Sequence, residues 1–215
     1  MTTVYKLHKP FLPTGNMKYA SLTCASLDIV QALQLSAESF NKYQNQPLGE
    51  NWPKYEIKYY DTKGKPKADF YVLPGYLLLA MSPKAVEVME DLLLPFGEFL
   101  PLSGKNKENL IVYRLYTESD VLDIDKCELV YSDTYPNMIW KIYQYYFIEE
   151  RVQTIPIFVA KGSATLFVTD VFLKRYQEAN LKGLGFLAMW SSEKGTLSSG
   201  RISFDISPTE LDLNL

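Results

Sequence analysis

A chain of 215 residues with 47% hydrophobic and 22% charged side chains carries enough apolar surface for a substantial core, which excludes general disorder. A net charge of −3 excludes the basic footprint on which nucleic-acid affinity rests, and two cysteines exclude a disulfide framework. Aromatic residues reach 14%, with 16 Tyr, which leans the chain toward sheet.

Residues 3–8 open the chain as a strand. Residues 36–46 are a short helix candidate with Ser36 as its N-cap. Residues 53–60 alternate, with Tyr55, Ile57 and Tyr59 on one face and Lys54, Glu56 and Lys58 on the other. Asp61, Gly64 and Pro66 end that strand in a turn. Residues 76–81 read as a buried strand. Ser82 then caps a helix whose first residue is Pro83, where a missing N–H costs nothing. Ala85, Val86, Met89, Leu92 and Leu93 form its apolar face, and Pro95 and Gly97 close it. Strands follow over 98–102 and 109–116. Residues 117–133 are acidic and part loop. Residues 138–150 read as one long strand, apolar on both faces as in a buried sheet centre. Residues 155–160 and 165–169 pair as a hairpin around 161–164.

Thr169 is the expected N-cap of a second helix, and Asp170 at its first position suits the positive end of the helix dipole. Phe172, Leu173, Tyr176 and Ala179 form its apolar face, and Gly183 supplies a left-handed exit. A shift of 87 positions lays the Ser82 unit on the Thr169 unit, and Leu94, Phe99 and Leu100 fall on identical residues Leu181, Phe186 and Leu187. The match reflects either duplication or the same physics solved twice, and the second is favoured because helix phasing alone would produce most of it. Each helix buries four or five apolar side chains worth about 1.5–3 kcal/mol each, so both belong to the core rather than to chemistry. The tail after Trp190 is Ser/Gly-rich, with a short alternating run over 201–206 as an edge strand or a loosely held extension. The expected class is α+β, with a mixed, mostly antiparallel twisted sheet, a few packed helices and two similar strand-helix-strand units.

The chemical search finds little. His8 is the one histidine, so no Ser-His-Asp or Cys-His pair forms without it. Its place at the end of a predicted strand reads as a surface or strand-edge histidine. Cys24 and Cys127 lie too far apart for a local metal clip, and they read as free thiols or, in an oxidising compartment, one bridge. Residues 103–109 contain Gly-Lys but lack the flanking residues of a phosphate loop. Gly183 and Gly185 follow a helix, the wrong end for a dinucleotide fingerprint. No cofactor or metal site is expected.

The most suggestive polar feature is acidic. Glu118, Asp120, Asp123, Asp125, Glu128 and Asp133 fall within 16 residues, against one Lys126. Residues 1–107 carry 12 basic and 10 acidic side chains, and residues 108–215 carry 10 and 15, so the charge sits in the second half. The acidic stretch reads as a solvated loop, as a docking surface for a basic partner, or as a carboxylate site for metal or catalysis. It lacks the order of a calcium-binding loop. The Lys/Tyr-rich strand and turn at 54–67 are a second candidate surface. Without an apolar leader or a run of 18 apolar residues, the expected location is the cytoplasm.

Segments 45–52, 64–70, 77–102, 112–128, 145–161 and 167–190 occur in an order that resembles the eleventh immunity-protein family of bacterial polymorphic-toxin systems, a former domain of unknown function. In that pattern a Ser-capped helix leads to a Glu-x-Leu-Pro strand, here Ser82 through Glu98, Leu100 and Pro101. A Phe-Val-Ser/Thr-Asp motif follows, with a later glycine and aromatic, here Phe167 to Asp170 and Gly183 to Phe186. Between them lie the aspartates of "VLDID" and the Ile157-Phe158 strand. The resemblance implies a non-catalytic cytoplasmic immunity protein that binds and neutralises a cognate protein toxin in bacterial competition, with neither nucleic acid nor membrane as partner. The alternatives are a carboxylate-based enzyme and an accessory binding module unrelated to toxins. The resemblance covers 46–190, so residues 1–45 are expected to form an N-terminal segment packed on the 46–190 domain, and 191–215 a C-terminal extension.

Overall fold

The computed structural model describes residues 1–9, 18, 19, 21–24, 47, 48, 57–60, 65–73, 78–102, 109–116, 118–133, 139–161, 163 and 165–198. In chain order its strands are β1 (Thr3–His8), β2 (Ser21–Cys24), β3 (Ile57–Tyr60), β4 (Phe70–Val72), β5 (Leu78–Met81), β6 (Gly97–Pro101) and β7 (Ile111–Leu115). They continue with β8 (Glu118–Ser119), β9 (Glu128–Tyr131), β10 (Ile139–Gln144), β11 (Ile157–Ala160), β12 (Leu166–Thr169), β13 (Gly185–Ser191) and β14 (Gly195–Thr196). The helices are α1 (Pro83–Leu93), α2 (Glu149–Val152) and α3 (Asp170–Glu178). The expected helix over 36–46 and the strand over 201–206 lie outside the described residues.

A six-stranded sheet runs β14-β13-β1-β12-β11-β8, a four-stranded sheet runs β4-β5-β7-β6, and β2–β3 and β9–β10 form two-stranded ribbons. Pairing is antiparallel throughout except between β8 and β11. This is the expected α+β class. The strand at the very start of the chain, β1, is an interior strand of the larger sheet, and β14 forms its edge.

The two strand-helix-strand units share more than helix phasing. In the smaller sheet, β5 and β6 both pair antiparallel with β7, which lies between them. In the larger sheet, β12 and β13 flank β1 in the same way. The strand before each unit sits outside it, β4 on β5 and β11 on β12, and Phe70 and Ile157 begin those strands 87 positions apart. The Ser82 amide donates to the Asp69 carbonyl at 2.8 Å, and the Thr169 amide to the Pro156 carbonyl at 3.2 Å, again at that spacing. Phe99 opposes Tyr113, and its counterpart Phe186 opposes Leu7. A shared helical period does not dictate common strand order and register, so the correspondence extends to architecture.

One apolar cluster takes Ala85, Met89 and Leu93 from α1, Phe172, Leu173 and Tyr176 from α3, Leu79, Met81 and Tyr113 from the smaller sheet, and Tyr5, Ile157 and Val168 from the larger. Both helices and one face of each sheet therefore close a single core. Alternation along the strands sends Val4, Phe158 and Phe167 to the other face of the larger sheet, where they meet Tyr145, Phe147 and Trp190. It sends Ala80, Leu100 and Val112 to the other face of the smaller one.

Several local expectations change. Ser82 caps α1 as expected, its Oγ accepting from the Ala85 amide at 3.1 Å. Thr169 stands at the N-cap position of α3 but donates its hydroxyl to the Ile155 carbonyl at 2.8 Å instead. The left-handed exit from α3 is Asn180, φ 51°, rather than Gly183. The Asn180 amide donates to Gln177 O and the Leu181 amide to Tyr176 O, the paired bonds of a Schellman turn. Gly97 is extended and begins β6; a β-carbon there would lie 2.3 Å from the Arg114 carbonyl oxygen, so close strand approach explains it. The long strand over 138–150 is instead the short β10, an isolated antiparallel bridge at Phe147 and then α2. Its run of apolar residues is shared between a ribbon and an aromatic cluster rather than buried on two faces of a sheet.

Candidate interaction surface

The polar residues of the family-like motifs go into holding the scaffold. Asp69, just before β4, accepts from the Ser82 hydroxyl at 3.0 Å through Oδ1 and from the Lys182 amide at 2.9 Å through Oδ2. The Lys182 carbonyl in turn accepts from the Asp69 and Phe70 amides, each at 2.9 Å. Gly183 has φ 111°, and a β-carbon there would fall 2.1 Å from the Phe70 carbonyl oxygen. One unit's helix exit is thereby locked to the other unit's first strand. Asp170 holds β1, accepting from the Thr3 amide at 2.5 Å and the Tyr5 hydroxyl at 3.0 Å. Glu98 is buried, pairs with Arg114 at 2.7 Å and accepts from the Leu48 amide at 3.0 and 3.1 Å. His8 is half-buried at the end of β1, its ring packed where a Gly185 side chain would stand.

The six acidic residues stand at separate places along the segment. Glu118 pairs in register with Val159 in β8–β11. Asp120 is exposed and bridged to Arg151 at 3.0 Å, and Arg151 also donates to the Asp120 carbonyl at 2.8 Å. Asp123 is bridged to Lys126 at 2.6 Å. That bond and the Asp123 charge hold the Lys126 ammonium above its usual range. Asp125 and Asp133 are exposed, and Glu128 begins β9. Backbone bonds tie this segment to the chain after β10: the Asp123 amide donates to Tyr146 O and the Ile148 amide to Val121 O, each at 2.9 Å. Of the second candidate surface, 57–60 form β3 against β2, and 54–56 and 61–64 lie outside the described residues.

What stands beside the carboxylates is aromatic. The β9–β10 ribbon pairs Ile139 with Tyr131 and Lys141 with Val130, and the register shifts at the intervening Trp140. Trp140 is 70% exposed, Tyr131 49% and Val130 39%. The ribbon's inner residues Ile142, Leu129 and Ile139 pack on the aromatic cluster, where Tyr145 stacks on Phe147 and Phe147 meets Phe158, Phe167 and Trp190 edge-on. The ribbon thus leaves Trp140, Tyr131 and Val130 exposed above a packed aromatic base. Lys141 Nζ lies 4.5 Å from the Tyr143 ring centroid, a cation–π contact on the same ribbon. Cys127 is a free thiol; burial pushes its pKa up, and it takes the Tyr146 amide at 3.3 Å, so it is a packing residue rather than a nucleophile.

Residues 118–151 hold eight acidic and three basic side chains, a net of −5, against −3 for the whole chain. Exposed aromatic residues within a polar, predominantly acidic surround are a composition that protein-binding surfaces carry. Sequence reading found the carboxylates but not Trp140, because an apolar run does not reveal whether it is covered. Among the described residues, no group of three or more His, Cys, Asp or Glu is placed to hold a metal ion, and no helix is long and apolar enough to cross a membrane. No protein-family model and no curated protein matches the chain.

Proposed function

We propose that this chain is a cytoplasmic immunity protein that binds a cognate bacterial toxin and neutralises it by occlusion, without chemistry of its own. The observation that carries the reading is the fate of the motif residues. Ser82, Glu98, Asp170 and Gly183, which bear the family resemblance, are used in caps, a buried ion pair and inter-element locks. Polar residues spent in this way support a binding scaffold over a catalytic one. A protein partner, rather than nucleic acid or a membrane, suits the net charge of −3. A tight complex of this kind buries about 1,600 Å² in all, well within the surface of a chain this size.

Co-expression with the product of the adjacent gene tests the proposal. The expected result is rescue of growth and recovery of a stoichiometric complex, with the toxin's activity suppressed in proportion to complex formed. Unrelieved toxicity with no complex, or inhibition that continues after the chain is removed, is the result that refutes it.

A further inference from the structure

We infer that the β9–β10 ribbon is the docking element, with Trp140 as its buried anchor in the complex, and that it seats on a Lys/Arg-rich protein surface. The inference rests on the toxin-binding reading and names the chemistry of the surface involved.

The charge distribution selects the occupant. Residues 118–151 carry a net of −5, so the remainder of the chain carries +2 to make the total of −3. All the net negative charge, and more, lies within one stretch of 34 residues. Part of it is already answered internally, since Asp120 pairs with Arg151 and Asp123 with Lys126. Asp125 and Asp133 are exposed and form no ion pair among the described residues. They flank β9, whose Tyr131 and Val130 stand opposite Ile139 and Lys141 on either side of Trp140. A basic partner gains from this field twice. Long-range attraction speeds encounter, and carboxylates at the rim favour one orientation.

The anchor follows from exposure and support. Tryptophan is the residue type most enriched where a few side chains dominate binding, and it does so when the complex removes it from water. Trp140 is 70% exposed at a register shift, where the strand presents a residue that has no partner across the ribbon. Behind it the ribbon is fixed by Ile142 and Leu129 on the Phe147 cluster, so little ordering is needed on binding. A second copy of this chain is a poorer occupant, because it would bring −5 against −5.

The test uses the full chain and a catalytically inactive form of the adjacent-gene toxin, with binding followed kinetically at low and physiological salt. Trp140→Ala should weaken the complex by about 30-fold or more, mostly through faster dissociation. Asp125→Asn with Asp133→Asn should slow association several-fold and flatten the salt dependence, leaving dissociation little changed. Both changes lie at exposed positions, and unaltered thermal unfolding of each variant checks that the fold survives. If the wild-type chain binds and both variants bind equally well, the ribbon is not the interface, and the immunity reading survives. If the wild-type chain forms no complex, both fall. Light scattering of the chain alone covers the remaining occupant: a dimer that Trp140→Ala dissociates would overturn the assignment.

Discussion

The Tyr5 hydroxyl donates to Asp170 in the turn where β12 becomes α3, tying the first strand to the second helix. Burial, then the Asp170 charge and the hydrogen bond itself, push the phenol from its ordinary 10 up to about 12. The neutral form is the one the fold favours, so the stabilisation is complete below pH 10 and fades as pH rises toward 12. Burial moves Tyr113 and Tyr176 in the same direction. Burial holds Lys6 below its usual range, which acts the other way, but it is one group against the raised phenols of Tyr5, Tyr19, Tyr113, Tyr116, Tyr145 and Tyr176. Urea midpoints should therefore begin to decline above pH 9, where the buried Cys127 thiol adds its own loss, and fall steeply beyond pH 10. Asp170→Asn should bring the Tyr5 titration down without returning it fully, because burial is the larger cause. Midpoints that stay level to pH 11.5 would contradict this account.

Among the elements, α1 and α3 look interchangeable in sequence and are not. Ser82 caps α1 and also donates to Asp69, so Ser82→Ala removes two bonds and should cost about 1–2 kcal/mol. Thr169 makes no cap; its hydroxyl reaches back to Ile155 O, so Thr169→Ser should be mild and should leave α3 intact. Denaturant midpoints of the two variants decide this, and equal losses would mean that the two N-termini are held alike. Both helices were legible in the sequence because capping chemistry and a 3.6-residue period are local. Which hydroxyl caps was not, since that depends on where Ile155 sits. The exit of α3 illustrates the same limit: Asn180 and Gly183 both adopt positive φ, and Gly is the stronger signal of the two, but the Schellman bonds form at Asn180. The ribbon departs from the expected long strand for a related reason. Apolar density over 138–150 was visible, whereas the register shift that puts Trp140 in solvent is a property of pairing with β9. The carboxylates of the candidate surface could be found because charge is a property of composition.

At the scale of the whole molecule, two similar units could fold as two bodies or as one. Their architecture is repeated, with β4-β5-β7-β6 matched by β11-β12-β1-β13. The larger core, however, is held in common: α1, α3 and a face from each sheet contribute to one cluster. The lock between Asp69, Ser82, Lys182 and Gly183 crosses from one unit to the other, and Arg175 of α3 reaches Asp91 and the Val88 carbonyl of α1. Neither unit can open without exposing apolar surface of its neighbour, so unfolding should be a single transition in which tryptophan emission and far-UV ellipticity coincide. Gly183→Ala probes this directly. An alanine there suffers both the positive φ and the approach to Phe70 O, and should cost well over about 1 kcal/mol, lowering Tm by about 2–4 °C for each kcal/mol lost. Because the glycine sits at the junction, that loss should move the whole transition to lower temperature without splitting it. Two resolved transitions, in the wild type or the variant, would mean that the units are coupled only weakly and that the common core contributes less than its composition implies.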